Sequence, residues 1–274
     1  MNGDFQAIEI ELPAVKLHGV AIGSGPLVLF FHGITANAYV FLPLMKALAQ
    51  DFRCVSFDQR GHGRSGRPES GYAATDFASD IAVIVHRLKA GRAMVVGHSL
   101  GARNALVAGT EYEHFVSSVV AIEFVPFIET PVFDALAERV AGGERAFADL
   151  AAVKVYLTER YRRLPTDAID RRATYGYGQA PDGLRPLADD KAMNEIVSGL
   201  RSDMAAYLDG IRVPTLLIRG ADSKLVSAEA WRKSRALRPD LRAVELADAD
   251  HYVPEEVPQA VATEVLAFWN SKKR

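Results

Sequence analysis

One serine stands between two glycines in the stretch Gly97-His98-Ser99-Leu100-Gly101, after the apolar run AMVV and before an alanine-rich segment. A serine hydroxyl held at the apex of a sharp turn suits nucleophilic attack on a carbonyl, provided a base takes its proton and amide donors receive the oxyanion. The pattern G-x-S-x-G matches such a turn, because a left-handed backbone at the serine leaves room only for small residues two positions away on either side. A tight turn without chemistry is the plain alternative, and a strand before it with a helix after it counts against that alternative. The Leu100 amide, first in the following helix, has no partner inside that helix and can bind developing negative charge. Phe31-His32-Gly33-Ile34-Thr35 offers a second donor, the Ile34 N–H, with His32 expected to fix that loop.

The elements that must position these groups follow from the apolar pattern. Around QAIEIEL and VKLHGVAI, two alternating segments read as a hairpin of half-exposed strands. PLVLFF (26–31) is continuously apolar, as in a strand buried on both faces, and a helical pattern follows it to about Gln50. Strand and helix then alternate: RCVSF, a helix from about Thr75 with Phe77, Ile81, Ile84 and Leu88 on one face, AMVV, the helix after Ser99, and SSVVAI. Between Phe124 and Asp209 the chain reads as helical without strands, interrupted by Pro165, Pro181 and Pro186. VPTLLIRG, a helix from about Ser227, LRAVEL and a closing helix through Trp269 resume the alternation. The expected fold class is α/β, a mostly parallel sheet flanked by helices, with residues 1–123 and 210–274 as core and 124–209 as an inserted helical cap over the carboxyl ends of the strands.

Bulk properties narrow the function classes. The 274 residues are 49% apolar and 24% charged, as in a globular chain with a full core. With 32 basic and 34 acidic residues the net charge is -2, and no basic run follows a phosphate backbone, so a nucleic-acid partner is not expected. Neither an export leader nor a bilayer-spanning stretch is evident, which points to a cytoplasmic protein without a membrane partner. Cys54 is the single cysteine, excluding an internal disulfide and a cysteine-based zinc cluster. No metal or other cofactor is called for by the motifs.

FFHG, FDQRGHGRSGRP and GHSLG, in that order and spacing, resemble the α/β-hydrolase superfamily. The resemblance implies structural roles for Asp58, Arg60, Gly61 and Gly63, and a catalytic histidine between the last strand and the last helix, where His251 stands. His251 is therefore the expected base. His18, His86 and His114 are expected at the solvated surface, and His62 and His98 inside structural turns. Two carboxylates compete to orient His251. Asp222 lies after the strand VPTLLIRG, the commonest location for the acid, but the usual place three residues beyond the glycine is held by Ser223. Glu123 ends the strand after the nucleophile helix, a location that some branches use, and a buried carboxylate there needs a partner that His251 would supply. Glu123 ranks first and Asp222 is the alternative.

In the cap, Thr130 reads as an N-cap with Pro131 at the first helical position, and Phe133, Leu136 and Val140 form the apolar face with Arg139 at its edge. Phe147, Leu150, Val153 and Leu157 line the next helix, and Arg160 projects from the same side. One such arginine reads as snorkelling; two beside Tyr161 favour a carboxylate ligand. The runs AIEFVPFIETPVFDALAERV, YLTERYRRLP, RGADSKLVSAEA and ADADHYVPE further resemble the 2-(acetamidomethylene)succinate hydrolases of vitamin B6 degradation. That resemblance implies a metal-free serine enzyme cleaving an enamide diacid to acetate, ammonia, carbon dioxide and succinic semialdehyde. It carries over Ser99 as nucleophile, His251 as base, Glu123 as acid, Ile34 and Leu100 as oxyanion donors, and Arg139, Arg160 and Tyr161 as carboxylate contacts. The resembled family has an aspartate where this chain has Glu123. A small anionic substrate is the partner so implied; a carboxylesterase, a carbon–carbon bond hydrolase and a non-catalytic ligand-binding member of the fold are the alternatives.

Overall fold

The computed structural model describes residues 4–143 and 145–271. Eight strands form one sheet: β1 (Gln6–Glu11), β2 (Lys16–Ile22), β3 (Leu27–Phe31), β4 (Arg53–Phe57), β5 (Ala93–His98), β6 (Val116–Ile122), and two from the later part of the chain, Thr215–Gly220 and Arg242–Leu246. The first three strands in spatial order, β1, β2 and β4, pair antiparallel; every other pairing is parallel. Strand alternation sends Leu29, Phe31, Val55, Phe57 and Val95 to one face and Val28, Phe30, Cys54 and Val96 to the other. Each set needs cover. Helices α1 (Leu42–Leu48), α2 (Ala74–Arg87) and α3 (Leu100–Glu111) supply part of it, with α2 and α3 on the first face and α1 on the second.

Residues 124–209 lie between β6 and the strand Thr215–Gly220. They contain α4 (Thr130–Ala141), α5 (Leu150–Arg160), α6 (Thr166–Gly176), a hairpin of β7 (Tyr177–Ala180) and β8 (Gly183–Pro186), α7 (Asp190–Gly199) and all but the last residue of α8 (Ala205–Gly210). In chain order the later core strands are then β9 (Thr215–Gly220) and β10 (Arg242–Leu246), with α9 (Ala228–Leu237), α10 (Val253–Glu256) and α11 (Pro258–Ser271) completing the chain. The sheet order is β1-β2-β4-β3-β5-β6-β9-β10. Among the described residues no helix is long and apolar enough to cross a membrane.

Several details depart from the sequence reading. The segment expected to lack strands carries the β7–β8 hairpin, four residues a side and too short to show a period; its turn, Ala180-Pro181-Asp182-Gly183, has Gly183 at φ 125°. Thr130 is not the cap of α4: Glu129 holds that position, and its carboxylate instead accepts from the Ser227 hydroxyl at 2.5 Å. Phe147 lies ahead of α5 and bridges to Leu184, while Leu150 is 38% exposed, because Asp149 caps the helix one turn later than the apolar run suggested. Met204 and Leu208, at the end of the 124–209 segment, pack into the main core beside α3 rather than over the strand ends. His18, expected at the surface, is buried, with Nδ1 3.5 Å from Asp58 Oδ2.

The loops at the carboxyl edge of the sheet are pinned by buried polar groups. Asp58 accepts from the backbone N–H groups of Ala38 (2.7 Å) and Arg64 (2.9 Å), and Arg60 forks onto Asp80 through Nε and Nη2 at 2.7 and 2.6 Å. His32 accepts the Gln59 N–H at Nε2 (3.0 Å), and its ring meets that of His62 edge-on at 4.9 Å.

Burial holds His32, His62 and His98 below the ordinary imidazole range. An unfolded chain protonates these three below about pH 6.5 and the folded chain does so only at lower pH, so unfolding takes up protons and stability falls as pH drops below about 6.5. His62, held down to about 3 in the folded chain, contributes a slope of about 1.4 kcal/mol per pH unit once the unfolded form is fully protonated. Urea unfolding across this range should show the decline, and replacing His62 by an uncharged residue should flatten it by roughly one proton.

Candidate active site

At Ser99 the chain turns from β5 into α3 with φ 53° and ψ -114°. No side chain fits beside this turn. A Cβ on Gly97 would lie 2.2 Å from Gly101 O, and one on Gly101 would lie 1.9 Å from Phe31 O. The Ser99 N–H donates to Ile122 O at 2.8 Å and the Gly101 N–H to His32 O at 3.1 Å, fastening the turn to β6 and to the loop after β3. Among the described residues the Leu100 and Ile34 N–H groups have no acceptor. Leu100 opens α3, where the helix dipole adds partial positive charge. Ile34 lies next to Thr35, whose φ is 60°. Gly33, Ile34, Ser99, Arg139, Tyr161 and His251 border one cavity.

Glu123, one residue past the end of β6, adopts φ 59° and is fully buried. Its Oε1 accepts the Gly220 N–H at 2.7 Å, and its Oε2 accepts the Ser223 hydroxyl at 2.6 Å and faces His251 Nδ1 at 3.1 Å. Burial drives this carboxyl above its usual range, and the Ser223 and Gly220 donors with Arg219 pull against that. With the carboxylate as acceptor, the network assigns the imidazole proton to Nδ1 and leaves Nε2 with a free lone pair. Asp222, the alternative acid, is brought elsewhere: its carboxylate is half exposed and pairs with Arg163 at 2.9 Å. Ser223, the residue in the acid's usual place, instead donates to Glu123.

His251 is held from several sides. Its backbone carbonyl lies 2.7 Å from His98 Nε2, and Glu256 accepts from the N–H groups of Asp250 (2.8 Å) and Tyr252 (3.1 Å) on either side of it. Burial first, then the guanidinium charges of Arg139 and Arg172, push the imidazole down to about 3, so it is neutral and able to take a proton across the ordinary pH range.

The cap residues singled out from sequence converge on this cavity. Arg139 in α4 lies over the rings of Tyr161 and Tyr252, at 5.0 and 5.6 Å. Arg160, at the end of α5, donates from Nη2 to Arg139 O at 2.7 Å and borders the same cavity. Burial alone would raise the Tyr161 hydroxyl, but Arg172, Arg139 and Arg160 outweigh it and hold the phenol below its ordinary value. Three neighbours escaped the sequence reading: Ser223, Tyr252 and Arg172. A signal existed for Arg172, since Ala168, Ile169, Arg172 and Ala173 share the buried face of α6 and an arginine on such a face needs a counter-charge.

Comparisons with known proteins identify the family and the fold. The family described by the alpha/beta hydrolase fold matches residues 26–258. A 2-(acetamidomethylene)succinate hydrolase of Mesorhizobium japonicum is 47% identical over 96% of this chain and 95% of its own length. A soluble epoxide hydrolase of a Corynebacterium species is 26% identical over 93% of each chain. The crystal structure of an E-2-(acetamidomethylene)succinate hydrolase superposes with a TM-score of 0.96 at 47% identity, covering 97% of this chain and 100% of that one. A thioesterase domain from the curacin biosynthetic pathway shares the fold at a TM-score of 0.83 and 22% identity, over 96% and 100% of the two chains. A parallel sheet that turns into a helix at a strained serine, and a match running through most of the chain, place this protein in the α/β-hydrolase family.

Proposed function

We propose that this hydrolase cleaves the amide of a small dicarboxylate, 2-(acetamidomethylene)succinate or a close analogue, through an acyl-enzyme on Ser99. The observation that carries the reading is a count of charges at one cavity. Three guanidiniums border it, those of Arg139, Arg160 and Arg172. Arg172 is compensated by Glu255 at 2.5 Å, whereas Arg139 and Arg160 have no carboxylate partner among the described residues. Partly buried cations without counter-ions are costly, and two carboxylates of a substrate would offset both. The identity to the Mesorhizobium hydrolase supports the same choice.

The proposed steps use these residues as follows. His251 Nε2 takes the Ser99 proton as Oγ attacks the amide carbonyl, and Glu123 holds the imidazole by Nδ1 and stabilises the imidazolium. The oxyanion is received by the Ile34 and Leu100 N–H groups. Collapse breaks the carbon–nitrogen bond, with the proton returned from His251 to the departing enamine, and leaves an acetyl ester on Ser99. Water, deprotonated by the same imidazole, then releases acetate. Residues 124–209 act as the cap that brings the carboxylate contacts to the nucleophile.

Acetate release from 2-(acetamidomethylene)succinate should fall by about 10⁴-fold or more in Ser99→Ala. Arg139→Ala and Arg160→Ala should each raise KM by about 10- to 100-fold, the loss of one charged hydrogen bond. Turnover of neutral esters that survives loss of both arginines, with none of the diacid by the wild type, would leave a carboxylesterase and overturn the diacid reading.

For the acid, Glu123→Gln should lower kcat by about 10³-fold or more, while Asp222→Asn should stay within about 2-fold. The reverse ranking would move the acid to Asp222.

A further inference from the structure

The cavity that Ser99 borders is small, about 40 Å³, and it shares part of its lining with an outer groove of about 410 Å³ that Ser99 does not border. Leu136, Arg139, Leu225, His251 and Tyr252 border both spaces. Arg139 and His251 already have proposed roles, and Tyr252 lies under the Arg139 guanidinium at 5.6 Å. Leu136 and Leu225 are the aliphatic members of this shared wall, and both are half-buried. Behind them the groove is floored by Pro131, Val132 and Ala135, on the same face of α4 as Leu136.

Both leucines are held in place. Leu136 packs into the same apolar cluster as Ile34 and Leu100, the residues of the two oxyanion donors. Leu225 stands in the loop after β9 between two backbone anchors: the Lys224 N–H donates to Asp250 Oδ1 at 3.1 Å, and the Val226 N–H to Ser223 Oγ at 3.0 Å. Ser223 is the residue that donates to Glu123, so the loop that secures the acid also secures Leu225. Ala36 and Val140, by contrast, also border a different space of about 60 Å³, together with Arg160 and Tyr161.

In the tetrahedral adduct the acyl carbon carries Ser99 Oγ, the oxyanion, the departing nitrogen and the acyl chain. The oxyanion is directed to the Ile34 and Leu100 amides, the nitrogen to His251 and the diacid to the arginines. The first carbon of the acyl chain is bonded to the carbon that bears the oxyanion, so it lies beside those amides, in the cluster that holds Leu136. We propose that Leu136 and Leu225 set the length of the acyl group transferred to Ser99: an acetyl methyl ends against them, and a longer chain would have to pass between them into the outer groove. This inference rests on the acyl-enzyme at Ser99 and is independent of the diacid.

The test is kcat/KM on p-nitrophenyl acetate, butyrate and hexanoate, with urea midpoints to compare the folds. Wild type should prefer acetate to butyrate by about 100-fold or more, the scale on which an apolar pocket senses added methylenes. Leu136→Ala and Leu225→Ala each delete the branched end of one wall side chain. In each, the butyrate-to-acetate ratio should rise by about 10- to 100-fold, with acetate turnover itself falling because the methyl loses a contact. The double variant Leu136→Ala/Leu225→Ala should extend the gain to hexanoate. Adding Ala135→Phe to that double variant refills the groove from an exposed position, so hexanoate should be lost again while the butyrate gain remains. Val140→Ala enlarges the same cavity without touching the wall, and its ratio should stay within about 2-fold of wild type.

A wild type that turns over butyrate as fast as acetate would overturn the proposal, as would a ratio unmoved in both single leucine variants and in the double. A Val140→Ala ratio that rises as far as theirs would mean general loosening of the cavity and would overturn it too. Ester hydrolysis that persists in Ser99→Ala would remove the acyl-enzyme on which the inference stands. A wild type that hydrolyses the acetate ester but not 2-(acetamidomethylene)succinate would defeat the diacid reading alone, and the ester series would still decide the role of the leucines.

Discussion

The site depends on a turn with no spare volume. At Ser99 the backbone takes a conformation that costs of order 1–3 kcal/mol for a residue with a side chain, and a Cβ on Gly97 or Gly101 would run into Gly101 O or Phe31 O respectively. Such strain persists only where the surroundings over-determine it. Here β3, β5 and β6 are hydrogen-bonded side by side, Ser99 N–H reaches Ile122 O, and Gly101 N–H reaches His32 O. One close contact thus brings three strand ends into a single neighbourhood: Ile34 after β3, Ser99 after β5 and Glu123 after β6. Thr35 and Glu123 share the left-handed strain of Ser99, so the cost is concentrated where the loops must turn inward.

Residues 124–209 bring three guanidiniums, those of Arg139, Arg160 and Arg172, to the cavity that Ser99 borders. Burial, Arg139 and Arg172 oppose protonation of His251, which on the proposed reading must become an imidazolium during attack, so an empty cavity favours its neutral form. On the proposed reading a bound dicarboxylate changes that balance, because its negative charge offsets Arg139, one of the cations that lower the imidazole. The ligand's remote groups then help the proton transfer at the reacting carbonyl, a use of binding energy that a neutral ester of the same size cannot offer.

Much of the architecture was legible because it follows from short-range rules. Continuous apolar runs bounded by turn residues mark buried parallel strands, and PLVLFF, RCVSF and VPTLLIRG became β3, β4 and β9 with small shifts at their ends. The serine turn was legible because its glycines answer to local sterics. What escaped the reading depends on partners far apart in the chain. Phe147 and Leu184 pair across 37 residues to extend the β7–β8 hairpin, and Arg172 finds Glu255 across 83. His18 was misplaced for the same reason, since a histidine in an alternating strand is buried only because Asp58 and the Ser65 hydroxyl come from a loop some forty residues later.

The choice between two carboxylates shows where such reading stops. β6 and β9 are neighbours in register, Ile122 opposite Ile218, so a side chain just beyond either strand can approach the same imidazole. Which one does so is decided by local arms rather than by strand order. After β9 the third residue past the glycine is Ser223, too short to reach His251 as an acid but able to donate to Glu123; the neighbouring Asp222 turns outward to Arg163. After β6, Glu123 uses its longer side chain and its unusual φ to carry a carboxylate into the space between both strand ends, where Gly220 and Ser223 of the β9 loop hold it. The two loops therefore work as one unit: the β6 loop supplies the carboxylate, and the β9 loop supplies the donors that stabilise its charged form and aim it at Nδ1.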